Sequence, residues 1–269
     1  MGYDCKIIAD SMAPNGKRLT TFQVTFPRII LAEFNTHRQF SRNSASSRAI
    51  PVEKQIQKAI DDPFLPVYWG KNQKGMQADQ ELTEEEQSAA IRKWLDARDS
   101  AVKSARAMLA MGVHKQITNR LLEPFLWHTA IVSSTEYSNF FAQRCHPDAQ
   151  PEIRHVAEMM RTAMLINAPA CVKQDDWHTP YILPGEFSTM SVPERKRVSV
   201  ARCARVSYEA QDGVRDIDKD MELYTRLTQG FHWSPFEHVA QPSSFGAEDR
   251  SGNFFGWEQF RKEFANECR

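Results

Sequence analysis

The residues from Thr36 to Arg48 concentrate side chains that can do chemistry on an anionic ligand. The run Thr36-His37-Arg38-Gln39-Phe40-Ser41-Arg42-Asn43-Ser44-Ala45-Ser46-Ser47-Arg48 crowds arginines, serines, a histidine and an asparagine together with almost no large apolar side chain. Guanidinium forks pair with phosphate oxygens two bonds at a time, and hydroxyls beside them can hold the edge of a base. A solvated, serine-rich loop has the same composition, so spacing has to decide between the two. The apolar run Ile29-Ile30-Leu31 stands just ahead, and a buried element there would deliver the arginines to a fixed place.

The spacing is specific. His37, Arg38, Ser41, Asn43, Ser46 and Arg48 fall on the signature Arg-His-Arg-x-x-Ser-x-Asn-x-x-Ser-x-Arg, with Thr36 in place of its first arginine. In this the chain resembles the flavin-dependent thymidylate synthases. Further blocks agree. Asn139 and Arg144, then Ala149-Gln150-Pro151-Glu152-Ile153-Arg154, resemble that family's Asn-x-x-x-x-Arg and Ala-Gln-x-Glu-Ile-Arg. Ala204-Arg205-Val206-Ser207 and Ser234-Pro235-Phe236-Glu237-His238 resemble its Ala-Arg-Val-Ser and Ser-Pro-Phe-Glu-His elements. In the family the last two blocks precede the arginine-rich run, whereas here they follow it. A circular permutation accounts for that order, since chain ends lying close together at a surface can be joined and reopened.

The resemblance implies reductive methylation of dUMP to dTMP, with methylenetetrahydrofolate as carbon donor, FAD as cofactor and NADPH as reductant. It implies Arg144 as the catalytic residue, favouring ionisation of the uracil ring at N3. Glu33, Ser44, Ser46, Ser47, Arg48, Arg120 and Arg144 would hold the nucleotide. Thr36, His37, Arg38, Asn139, Ser207 and His238 would contact FAD. Glu33 stands where the family often has glutamine, and a carboxylate there can either repel phosphate or accept a hydrogen bond from a base. The missing arginine at Thr36 removes a cation that Arg28 or Arg42 could replace. The family is homotetrameric, with active sites built between subunits. Two rivals stay open: a hydroxymethylase acting on the same nucleotide, and a nucleotide- or RNA-binding homologue without catalysis.

Composition bounds the rest. The chain has 269 residues, enough for a full core, with 41% hydrophobic and 25% charged residues, as in ordinary soluble proteins. Lysine plus arginine equals aspartate plus glutamate, 34 each, so no global field favours RNA or an anionic membrane. Cys5, Cys145, Cys171, Cys203 and Cys268 share no Cys-x-x-Cys spacing, which argues against a disulfide framework and for a reducing cytoplasm, the cell's own or a host's. Of these, only Cys145 lies near a motif. His232 and His238 lack a third ligand at sensible spacing, so no metal is expected. Neither a Gly-x-Gly-x-x-Gly fingerprint nor a P-loop is present, and the flavin expectation comes through the resemblance alone.

The elements that position these residues read as a mixed α/β (α+β) chain with a mixed or antiparallel sheet and long helices. One domain is expected over 1–269, its tail 241–269 without a family counterpart. Alternation at Phe22, Val24 and Phe26 predicts a half-buried strand, with Pro27 marking an edge or bulge. Thr83 and Glu86 make a capping-box pattern opening a helix to Gly112 with an apolar stripe from Ile91 to Leu109. Helices are also expected over Ser133–Arg144, from Pro151 to about Asn167, and over Asp216–Gly230, with 172–200 irregular.

Overall fold

The computed structural model describes residues 2–208 and 216–268. Its frame is a five-stranded sheet in the order β3-β4-β2-β1-β5. Strand β1 (Asp4–Met12) turns back through a tight loop into β2 (Arg18–Pro27), and Gly16 takes the positive φ that the turn requires. A 3-10 turn, Arg28–Ile30, leads into the short helix α1 (Leu31–Asn35) and then β3 (Ser41–Ser44). Next come α2 (Val52–Asp61), the long α3 (Glu84–Ala110), the single turn α4 (Lys115–Thr118) and β4 (Trp127–Ser134). Helices α5 (Ser138–Arg144) and α6 (Pro151–Ile166) precede β5 (Ala170–Cys171), which joins β1 in parallel. The remaining helices are α7 (Pro184–Phe187), α8 (Val192–Arg205) and α9 (Ile217–Gln229).

The alternation in β2 divides the molecule. Phe22, Val24 and Phe26 pack with Ala130 and Val132 of β4 against Phe140 of α5 and Ile153, Val156 and Met160 of α6. On the opposite face, Ile131 meets Cys203 and Val206 at the end of α8. The sheet is covered on both sides, and the second layer comes from the C-terminal half of the chain.

Several expectations need correction. Pro27 marks neither an edge nor a bulge: β2 is an inner strand, and Pro27 ends it opposite Trp127, where the chain leaves the sheet. Ser133 and Ser134 complete β4 rather than open a helix; α5 starts at Ser138, whose amide donates to Glu136 Oε1. Residues 172–200 are less irregular than expected. Ser191 and Glu194 close a capping box that starts α8, the same signature as at Thr83 and Glu86.

Helices α3 and α6 match their expected spans within a few residues. The stripe on α3 is only partly covered, however: Val102 and Ala105 are buried against α2, while Leu109 is 42% exposed. The tail beyond Gln241 is bound into the fold. Residues Ala240–Pro242 pair with Trp257–Gln259, and the buried Gln259 side chain donates to Ser41 Oγ at the start of β3 (3.0 Å).

Candidate active site

Helix α1 and the turn after it bring Glu33, Thr36 and His37 to the end of α5. There Arg144 Nε donates to His37 Nε2 at 2.8 Å, and Arg144 Nη2 reaches Thr36 Oγ1 at 3.4 Å. Thr36 in turn donates to the carbonyl of Glu33. The His37 ring is buried, edge-on to Phe140 with centroids 4.8 Å apart. Burial first, then the charges of Arg144 and Arg42, push its pKa down to about 4. A neutral His37 with its proton on Nδ1 can therefore accept from Arg144 at neutral pH. Arg144 has no carboxylate in ion-pair reach among the described residues, so Asp148 and Glu152 do not neutralise it.

Arg144 forms part of the wall of a cleft of about 800 Å³, together with Glu33, Tyr68, Gln150, Asp148 and Arg154. The segment that carries Tyr68 closes on itself through the Gly70–Glu81 bridge and the bond from Tyr68 OH to the Ala78 carbonyl. Asn139 is exposed five residues before Arg144 on α5, well round the helix from it. Arg38 is exposed and has neither a hydrogen bond nor an ion pair among the described residues. Thr36, His37 and Arg144 thus form one group, with Glu33 on the adjoining wall, whereas Asn139 accepts from Gln143 and is not brought into it.

A second group lies at the other end of β3. The Ser46 amide donates to the Ser207 carbonyl at 3.1 Å. The Asn119 side chain donates to the carbonyls of Ser47 and Ile50, fixing the turn that presents exposed Arg48. Arg120 follows Asn119 directly, exposed and ion-paired to Glu123 at 2.8 Å, which also pairs with Arg28. It borders a neighbouring cleft of about 540 Å³ with Arg28 and Asn35. Ser44 sits on β3 between the two groups. The four residues of β3 hold them apart by roughly 13 Å of extended chain.

His238 lies in neither group. Its ring is fully buried, with Nδ1 bonded to Ser133 Oγ at 2.8 Å. Ser133 continues through Thr21 to His178 and Ser11, so a chain of hydroxyls and imidazoles crosses from the sheet to the C-terminal layer. The place of the missing arginine is not filled by the two expected substitutes. Arg28 is committed to Glu123 and His128, and Arg42 donates to the carbonyls of Phe34 and His37. Arg154, marked in the sequence only as the last residue of the Ala149–Arg154 block, is a second cation on the cleft wall, anchored to the Pro147 carbonyl.

Comparison with known proteins adds three findings. The family model described as thymidylate synthase complementing protein matches residues 18–170. A UMP/dUMP methylase, PolB from Streptomyces cacaoi, bound with 5-Br UMP, aligns at a TM-score of 0.50 and 15% identity over 61% of this chain and 88% of that one, a likeness of fold. The same protein bound with 5-Br dUMP gives a TM-score of 0.45 at 20% identity, over 55% of this chain and 66% of the other. No curated protein matches the chain.

Proposed function

The chain belongs to the thymidylate synthase complementing protein family, and on that premise we propose that it methylates C5 of a pyrimidine nucleotide, converting dUMP to dTMP with methylenetetrahydrofolate, FAD and NADPH. The observation that carries this is Arg144, a cation without a counter-ion among the described residues, held by a neutral histidine at the wall of a cleft. Pyrimidine C5 becomes nucleophilic when negative charge develops on the ring, and a fixed guanidinium stabilises that charge without itself exchanging a proton. His37 orients the guanidinium. Because it is uncharged, it does so without adding a cation that would push Arg144 away.

Side chains near Arg144 in sequence or by contact suit a flavin dinucleotide, although none of them is in the wall of the cleft of about 800 Å³. Arg38 is exposed with no partner among the described residues, Asn139 offers an exposed amide, and His37 is neutral. Arg38 suits a diphosphate and Asn139 a ring edge. When bound, the flavin supplies the hydride-transfer chemistry that no side chain here can provide. His238, fully buried, would act on the flavin only by fixing the layer behind β3.

Of the residues proposed for nucleotide binding, Ser46, Ser47 and Arg48 stand at the far end of β3 from Arg144, while Arg120 lines the cleft along α1. A homotetramer that sets one subunit's Arg48 turn beside another's Arg144 would join the two halves of the site. The permuted chain order draws support from the same region. The Ser207 carbonyl accepts from Ser46, and the 3-10 turn Ser234–His238 packs beside β3, although both blocks come late in sequence.

Arg144→Ala should lower turnover of dUMP by about a hundredfold to a thousandfold, as loss of a transition-state donor does. Bound flavin should be retained. Undiminished turnover in that variant would remove the mechanism.

A further inference from the structure

The arginine-rich run is met by a part of the chain that the motifs do not reach. After Gln241 the tail forms a small hairpin, Arg250–Ser251 against Phe254–Phe255, closed by the two-residue turn Gly252-Asn253. Gly252 takes the positive φ of that turn, and a Cβ there would run into the Gln259 side chain, so the turn is built for glycine. The hairpin is tied to the run on both sides. The Gln39 amide donates to the Asn253 carbonyl at 2.9 Å, and the Asn253 amide reaches Ser41 Oγ at 3.4 Å. The backbone N–H of Phe255 donates to Thr135 Oγ1 at 3.0 Å, at the end of β4. Asn253 is thereby fixed beside the residue that follows Arg38.

Arg250 and Phe255 stand opposite one another in the hairpin, with the guanidinium 5.5 Å from the ring centre. Arg250 Nε donates to the Gly252 carbonyl, while Nη1 and Nη2 have no partner among the described residues. Arg250 and Arg38 are therefore two exposed cations on one surface, neither neutralised by a carboxylate among those residues. Taking the side chains around His37 as the place of a flavin dinucleotide, on which this inference rests, we propose that Arg250 binds the diphosphate together with Arg38, in place of the motif arginine that Thr36 replaces. Each guanidinium fork can take a pair of phosphate oxygens, and a diphosphate carries enough negative charge for both. Phe255, half-buried beside Arg250, offers an aromatic face to a ring joined to that diphosphate. Its carboxylate neighbours are occupied: Asp249 accepts from Ser243, and Glu258 from Gln241.

The test is titration of the purified full-length protein, freed of flavin, with FAD and with riboflavin, which has the ring but no phosphate, followed by flavin fluorescence. Arg250→Ala should weaken FAD by about tenfold, the loss of one charge-assisted contact, and leave riboflavin unchanged. Arg250→Lys, which keeps the charge without the fork, should recover part of that loss. The melting temperature without flavin should not move, because the side chain is exposed. An unchanged FAD affinity in Arg250→Ala, or equal weakening of both flavins, overturns the role of Arg250 and leaves the flavin site standing. Failure of the wild type to bind FAD overturns the flavin site, and the role of Arg250 with it.

Discussion

Arg144 and Cys145 are adjacent in sequence and opposite in chemical prospects. A thiolate mechanism would need the cysteine ionised, yet burial, which outweighs nearby Arg161, raises the Cys145 pKa. Its side chain packs at the margin of the aromatic core around Phe140. Cys145→Ser should therefore keep turnover within about threefold of wild type, as a surface-margin change of this size usually does. A total loss with folding intact, seen by circular dichroism, would revive covalent catalysis. The sequence made Arg144 and His37 legible because the motif spacing marks each separately. It did not show that they bond to one another, because the contact joins residues 107 positions apart. Nor did it show that Arg28 and Arg42 are already engaged, since their partners are backbone carbonyls, a distant glutamate and a histidine.

Elements were legible where one local signal dominated. The capping box at Thr83 and Glu86 opens α3 as its pattern predicts, and Pro151 starts α6. The equivalent box at Ser191 and Glu194 was masked by the prolines around it, although Pro193 in a first turn favours a helix. The boundary between β4 and α5 depended on tertiary pairing: Ser133 lies opposite both Thr21 and Ser41, and that ladder outweighs its place ahead of a helical pattern. The tail gave no sign of its role, because Gln259 is a polar residue without a motif. It is 2% exposed, and its amide holds Ser41 and the Glu237 carbonyl. Gln259→Leu should destabilise the protein by about 1–3 kcal/mol by leaving these acceptors unpaired. Urea denaturation measures this, and an unchanged midpoint would show that the tail does not brace β3.

At the scale of the whole molecule, the two layers on the sheet are joined through buried histidines that must stay neutral. His178 and His238 are each pushed down to about 3, by burial above all. Both values lie below the ordinary histidine pKa near 6.5, so the unfolded chain binds more protons between pH 6.5 and 3. Stability from these groups is fully present above about pH 6.5 and is lost as pH falls towards 3. The slope approaches about 1.4 kcal/mol per pH unit for each histidine inside that window. Melting temperature should fall steeply from pH 7 to pH 4, and His178→Gln should flatten that fall whatever it does to the value at pH 7. Equal slopes would show that the chain of hydroxyls and imidazoles does not control acid stability. The mixed fold was legible from periodicity and motif resemblance; the convergence of late sequence on β3 was legible only as an unusual motif order.

The most direct measurement is the mass of the nucleotide after the purified protein is incubated with dUMP, methylenetetrahydrofolate, FAD and NADPH, beside a tube without FAD. A methyl group gained only when flavin is present is the predicted result. A hydroxymethyl product would contradict methyl transfer, and unchanged dUMP in a folded, flavin-loaded preparation would contradict catalysis on this nucleotide altogether.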